Sequence, residues 1–211
     1  MLELRRSIAL AIGVAEAALP FVGELVEVKP DEAPWRGAAE RVLHGFALSI
    51  LVDNDHYNAL TQHLNDVNLG RRLVYYRTGA AEGGAPKMLK AGSLALKLTV
   101  KEGGHAGWLQ AELRQRYDYD CVDSVRALRA APERAMTREG QIKHSRTRHE
   151  KDDRHSVDDR RHWVLGFDNR DKLALYEQQQ RGLQERIAKL DAQLDSLRRQ
   201  MQRRAERLMP C

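Results

Sequence analysis

Cysteine is nearly absent: the 211 residues hold two, Cys121 and Cys211, far apart and in no CxxC spacing. That excludes a disulfide framework and a cysteine zinc site, and fits a reducing compartment. Aromatic residues make up only 6% of the chain, so stacking on bases is not a prominent theme. No apolar run approaches the roughly 20 residues needed to cross a bilayer, and no membrane contact is expected. Arg5 and Arg6 followed by the apolar run Ile8 to Ala15 imitate an export signal, but Glu16 interrupts the run. Ile8, Ile12, Ala15 and Leu19 keep helical spacing up to Pro20, which predicts a short amphipathic helix instead. The GxxxxGK[ST] spacing that wraps backbone amides around phosphates is missing throughout, GGAPK at 83–87 included, so no nucleotide site is assigned. Nor is there a strong excess of one charge: 35 Lys and Arg against 30 Asp and Glu leave +5, which permits contact with polyanions without demanding it.

What is present in quantity is a coiled-coil seam. Leu173, Tyr176, Leu183, Ile187, Leu190, Leu194, Leu197, Met201 and Leu208 fall on alternating spacings of three and four, with polar slips at Gln180 and Arg204. The other positions are mostly Gln, Arg, Lys, Glu, Asp and Ala, so this helix has one apolar edge that only another helix can bury. The expected organisation is an N-terminal coiled-coil arm end over 1–19, a globular domain over 20–168 and a C-terminal coiled-coil arm over 169–211, the two arms pairing antiparallel. Asp168 and Asn169 are the expected cap of the exit helix.

Between the arms the pattern alternates strand and helix. Phe21 to Val28 reads as a strand, and Pro30 and Asp31 open a helix carrying Trp35, Ala38, Ala39, Val42 and Leu43 that ends at Gly45. Ala47 to Val52 is a near-continuous apolar run, implying a strand covered on both faces. Asp53 or Asn54 caps a helix with Tyr57, Leu60 and Leu64 on its buried face. A strand at Arg72 to Tyr76 leads into a glycine-rich surface loop, Thr78 to Gly92. Then come an alternation at Leu94, Leu96, Leu98 and Val100, a helix from His105 to Tyr117, a strand at Tyr119 to Val122 and a helix capped by Asp123 or Ser124. A hairpin around Glu139 and Gly140 closes the series. The fold class is therefore mixed α/β, with mixed strand direction. Trp35, Trp108 and Trp163 are expected as core or interface anchors, and Cys121 as a small packed residue.

The chemically loudest stretch is KHSRTRHEKDDRHSVDDRRH, residues 143–162. Three readings compete. His149, Asp152, Asp153, His155, Asp158 and Asp159 offer ligands for a metal-dependent nuclease, but the spacing matches no defensible motif and seven Lys or Arg among these twenty residues compete with any cation. No metal is therefore assigned. Alternatively, Lys143, Arg146, Arg148, Lys151, Arg154, Arg160 and Arg161, with Arg71 and Arg72 from a loop edge, could neutralise phosphates of a DNA backbone. The third reading is a solvated segment whose charges pair with one another.

The run LPFVGELVEVKPDEAPWRGAAERVLHGFALSILVDNDHYNAL followed by GRRLVYYR resembles the hinge of SMC-family ATPases. More closely, IKHSRTRHEKDDRHSVDDRRHWVLGFDN resembles the segment leading back into the coiled coil in the SMC-like subunit of Wadjet plasmid-defence systems, the JetC-type relatives of MukB. Together the likeness covers roughly residues 20–169. It implies an SMC-hinge-like domain that homodimerises and joins two long arms, with no catalysis or cofactor of its own. ATP and Mg would sit at heads elsewhere in the full protein. The implied partners are double-stranded plasmid DNA and kleisin-like, accessory and nuclease subunits bound elsewhere, in the bacterial cytoplasm at the nucleoid. Ordinary SMC hinges carry a glycine-rich stretch near the end of the domain. Here only Gly140 stands in REGQIKHSRTR, which implies a rebuilt pairing surface. The alternatives from the residues alone are a metal-dependent nuclease and a structural spacer without DNA affinity.

Overall fold

The computed structural model describes residues 1–79, 88–167 and 180–195. The chain divides into two units, Met1–Asp168 and Asn169–Cys211. In the first unit α1 (Leu2–Ile12) ends on Gly13, whose left-handed φ of 72° closes the helix. A strand β1 (Val26–Val28), a helix α2 (Arg36–Ala47) and a strand β2 (Ile50–Val52) follow. Next come α3 (Asn54–Asp66) and β3 (Tyr75–Arg77), then β4 (Leu98–Val100), α4 (Ala106–Arg116) and β5 (Asp120–Cys121). The unit closes with α5 (Val125–Ala130), β6 (Ala135–Met136), β7 (Gln141–Lys143) and β8 (His149–Lys151).

Strand direction is mixed, as the alternation of elements predicts. β1 and β4 pair antiparallel, with Val26 opposite Val100. β2 and β3 pair parallel across α3, with Ile50 opposite Tyr75. The remaining strands form one sheet in the order β5-β6-β7-β8, parallel at its first pair and antiparallel thereafter. All three β2 residues are buried, which accounts for the unbroken apolar run that encodes them. Asp53 caps α3 by accepting the His56 N–H at 2.9 Å, and Leu60 is fully buried on the face predicted for it. Ser124, rather than Asp123, caps α5 through the Ala127 N–H.

Two cores result. One gathers Val26, Trp35, Ala38, Ala39, Leu43, Leu51, Leu94, Leu109, Leu113 and Met136 around α2 and α4. Its rim is aromatic: Phe46 lies 4.7 Å from Tyr117 and 5.4 Å from Tyr76, and Tyr76 lies 5.3 Å from Trp108, centroid to centroid. Burial pushes the Tyr117 hydroxyl up to about 12. The second core joins Ile8, Ala9, Leu19 and Phe21 to Ile50, Val52 and Leu60.

The second core includes α1: Ile8 and Ala9 are buried against α3, while Ala15 is exposed. Arg5 reinforces the docking through a 2.7 Å ion pair with Glu24, which also accepts the Phe21 N–H. Three expectations change. Phe21 to Val28 is a 3-10 turn at Val22–Glu24 followed by a short strand, because Glu24 closes the turn onto the Phe21 amide. Leu94–Lys97 is likewise a 3-10 turn, started by Ser93, whose hydroxyl accepts the Ala95 N–H. α2 continues through Gly45 to Ala47, since Gly45 lacks a positive φ and the helical ladder runs on past it.

The second unit is described over 180–195, a helix labelled α6 here. Leu183, Ile187, Leu190 and Leu194 follow one another at spacings of four, three and four, and are exposed by 62, 58, 54 and 51%. Leu173, Tyr176, Leu197, Met201 and Leu208 of the expected seam lie outside the described residues, as do Arg204 and the expected cap Asp168 and Asn169. No helix among the described residues is long and apolar enough to cross a membrane.

Candidate functional site

The charged stretch 143–162 is not a free loop. β7 and β8 form a hairpin, with Lys143 opposite His149 and Gln141 opposite Lys151. The Ser145 hydroxyl accepts the backbone N–H groups of Thr147 and Arg148, and the Arg148 carbonyl accepts the His144 N–H at 2.9 Å. This tight turn holds Arg146 and Arg148 at its exposed tip. His144 is fixed behind it, 2.8 Å from the Tyr119 hydroxyl and 3.0 Å from a Glu150 carboxylate oxygen. Beside the turn lies a shallow hollow of about 460 Å³ lined by Gln115, Asp118, Pro132, Glu133, Arg134, His144, Ser145 and Arg146.

After β8 the chain crosses α2 as a strap. Three charged residues of α2 hold it. The Glu40 carboxylate, only 3% exposed, accepts the Val164 N–H at 2.6 Å and the Leu165 N–H at 3.1 Å. Arg36 donates to the Leu165 carbonyl at 3.2 Å and lies 4.9 Å over the Trp163 ring. Arg41 donates to the His155 carbonyl at 2.6 Å. Two glycines allow the approach. A Cβ on Gly37 would meet the Val157 carbonyl oxygen at 2.2 Å, and one on Gly23 the Val164 carbonyl oxygen at 2.3 Å. Sequence reading missed this clamp, because Arg36, Glu40 and Arg41 look like the solvated face of a helix. The available signal was Glu40 itself, which falls at helical spacing with the buried Leu43 and Ala47.

The nine candidate phosphate contacts separate into different environments. Lys143 leaves the set: it is 6% exposed, and its ammonium donates to the carbonyls of Ala131 at 2.6 Å, Arg129 at 3.2 Å and Leu128 at 3.5 Å. It thus closes the C-terminal end of α5, where a cation and free carbonyls attract each other. Lys143→Met keeps the apolar stem and removes the donor, so unfolding free energy should fall by about 1.5–3 kcal/mol. Urea titration measures it; an unchanged midpoint would show that the carbonyls do not depend on the ammonium.

Four of the other cations carry a carboxylate two residues away. Arg154 binds Asp152 with Nε to Oδ1 at 3.0 Å and Nη2 to Oδ2 at 2.7 Å. This hydrogen bond from Arg154 pulls the Asp152 carboxyl well below the usual range. Arg161 grips Asp159 in the same bidentate way and lowers that carboxyl to about 2. Lys151 binds Asp153 at 2.6 Å and the Glu139 carbonyl at 2.7 Å, and Arg148 reaches Glu150 at 3.4 Å. Arg160 lies 5.6 Å over Trp163. Among the described residues Arg146 and Arg160 form no ion pair, and Arg71 and Arg72 are exposed in the connection to β3, which belongs to a different sheet.

The proposed metal ligands also separate. Among the described residues, His155, Asp159 and His162 alone bring ligand atoms together, within 4.8 Å of one another. His149, Asp152, Asp153 and Asp158 do not join them. Cys121 is packed as expected, and burial raises its thiol to about 12, so it carries no thiolate near neutrality.

No family model matches the sequence, and no curated protein matches it. The fold does match. A Pyrococcus furiosus Smc hinge domain with an extended coiled coil aligns with TM-score 0.53 and 20% identity over 93% of this chain and 67% of that one. The Pyrococcus furiosus SMC protein hinge domain aligns with TM-score 0.52 and 19% identity over 75% of this chain and 80% of that one. A structure described as the folded elbow of cohesin aligns with TM-score 0.54 and 12% identity over 97% of this chain. This chain spans only 30% of that cohesin chain. The chain therefore has the mixed α/β fold of SMC hinge domains.

Proposed function

We propose that the chain is the homodimerising hinge of an SMC-like ATPase complex. The carrying observation is the exposed seam Leu183, Ile187, Leu190 and Leu194 on a helix that follows, in sequence, a body of SMC hinge fold. An apolar edge on an otherwise polar helix requires a partner helix, and a body that ends in such a helix can pass force or orientation along a coiled coil. A hinge works by self-association, and one structure sharing this fold is an asymmetric dimer of the Geobacillus stearothermophilus hinge domain, matched with TM-score 0.50 and 14% identity over 87% of this chain and 76% of that one. The finer reading places the chain in a Wadjet-type, JetC-like subunit acting on circular plasmid DNA by loop extrusion in the bacterial cytoplasm. Its support is the sequence resemblance across 142–169. On this reading the chain has no catalysis of its own, and the ATP- and Mg-binding heads, kleisin-like, accessory and nuclease subunits lie elsewhere.

Sedimentation or light scattering tests the first claim. A mass twice that of the chain is expected, and a monomer at the highest soluble concentration overturns it. The proposed DNA contact is the hairpin tip. Arg146→Ala with Arg148→Ala should lower the magnitude of the slope of log affinity against log salt by roughly 0.9 for each phosphate that the variant no longer neutralises. Absence of any DNA affinity at low salt would favour a plain spacer. Incubation of supercoiled plasmid with the chain and Mg²⁺ or Mn²⁺ should leave it uncut; nicking would favour the nuclease.

A further inference from the structure

The strap doubles back sharply over 155–162. The Ser156 carbonyl accepts the Asp159 N–H at 3.1 Å, and the Asp159 carbonyl accepts the His162 N–H at 3.1 Å. These two turns bring His155 and His162, seven residues apart in sequence, into a stack with centroids 3.7 Å apart and planes 16° apart. Asp159 stands beside them, its Oδ2 3.7 Å from His162 Nε2. Both rings are exposed, so burial of apolar surface does not explain why two basic rings converge on one carboxylate.

We propose that His155, Asp159 and His162 bind a borderline transition-metal dication, with Zn²⁺ as the fitting ion. Two imidazole nitrogens and one carboxylate oxygen, with a fourth position for water, form a donor set that such ions favour and that Mg²⁺ and Ca²⁺, which prefer all-oxygen shells, do not. Ligands held about 2.0–2.1 Å from a tetrahedral zinc stand roughly 3.3 Å from one another. The ligand atoms here lie within 4.8 Å, a gap that rotation of exposed rings closes. Arg161 does not block the site. Its side chain donates to both Asp159 oxygens and its backbone N–H donates to Oδ1 as well, but Oδ2 keeps a second lone pair, so Arg161 orients the carboxylate while the metal takes that lone pair of Oδ2. Arg160 and Arg161 make the surroundings positive and hold affinity below that of a closed four-ligand site.

The site ties together the two ends of a loop already anchored to α2 by Arg41 at His155 and closed by the Trp163 Nε1–H donated to the Val157 carbonyl at 3.3 Å. A bound metal thus staples the strap just ahead of the residues that lead out of the first unit.

The test uses the full chain with ZnCl2 in calorimetry and with Co²⁺ in visible absorption. One metal per chain is expected, with the intense bands of four- or five-coordinate cobalt. His155→Ala and His162→Ala should each weaken binding by at least the ~10–100-fold that loss of even an outer hydrogen bond costs a metal site. His149→Ala, in the same histidine-rich stretch but outside the cluster, should bind as the unaltered chain does. No stoichiometric binding, a weak six-coordinate cobalt spectrum, undiminished binding in both His155→Ala and His162→Ala, or loss in His149→Ala overturns the proposal. The cobalt spectrum reads the unaltered chain and does not depend on the variants folding.

Discussion

Glu40→Ala is expected to lower the unfolding free energy by about 3–5 kcal/mol, since each backbone N–H held by a buried carboxylate contributes roughly 1.5–3 kcal/mol. Two such donors are at stake, from Val164 at 2.6 Å and Leu165 at 3.1 Å, and Leu165 is itself buried. Alanine leaves both without an acceptor where water has little access. Glu40→Gln should fall between the two, because its amide oxygen can serve one N–H while its NH2 faces the other. Urea unfolding with an unchanged m-value checks the magnitude, and hydrogen exchange at residues 164 and 165 locates it. A Glu40→Ala loss below about 1 kcal/mol, less than a single charge-assisted bond, would show that the strap is held by other contacts.

The second large effect comes with a built-in sign reversal on one helix. At Gly37 an added Cβ would stand 2.2 Å from the Val157 carbonyl oxygen and 2.9 Å from its carbon, an overlap with backbone that no side-chain rotation relieves. Gly37→Ala must lift the strap, and overpacking of this kind costs about 1–3 kcal/mol or more. Gly23→Ala should act alike, with the Val164 oxygen at 2.3 Å and the Ala47 oxygen at 3.2 Å. Gly45, eight residues along α2 from Gly37, meets nothing within 4 Å. Gly45→Ala should therefore stabilise by about 0.5–1 kcal/mol, the ordinary gain of alanine inside a helix. Thermal unfolding of the three variants reads the order directly. Equal effects at Gly37 and Gly45 would remove the close approach as the cause.

Both predictions concern a clamp that sequence patterns do not announce, while much around it was legible. Asp53 at the start of α3, Leu60 on its buried face, the unbroken apolar run that becomes β2 and the hairpin closed by Gly140 all follow from local chemistry. Gly140 carries a φ of 76°, a conformation only a residue without Cβ adopts cheaply. The errors arose where a long-range partner overrode local preference. Val22–Glu24 coils because Glu24 reaches back to the Phe21 amide and across to Arg5. β8 forms from exposed, polar His149, Glu150 and Lys151 because β7 offers them an edge. Lys143, read as a phosphate contact, is drawn inward by the carbonyls at the end of α5. The Asp152–Arg154 and Asp159–Arg161 brackets show how much of the charge in the stretch is answered within the stretch itself.

The sequence by itself determined the periods: the seam of α6, the alternation of helix and strand, and the capping and turn residues that bound them, since each depends on neighbours within a few positions. Only the tertiary structure decided which charges are buried, which glycines touch foreign backbone and which histidines meet. Those outcomes depend on where α2, α5 and the strap are brought together, and a carboxylate or ammonium reads the same in a linear chain whether its eventual partner is water or the end of a distant peptide.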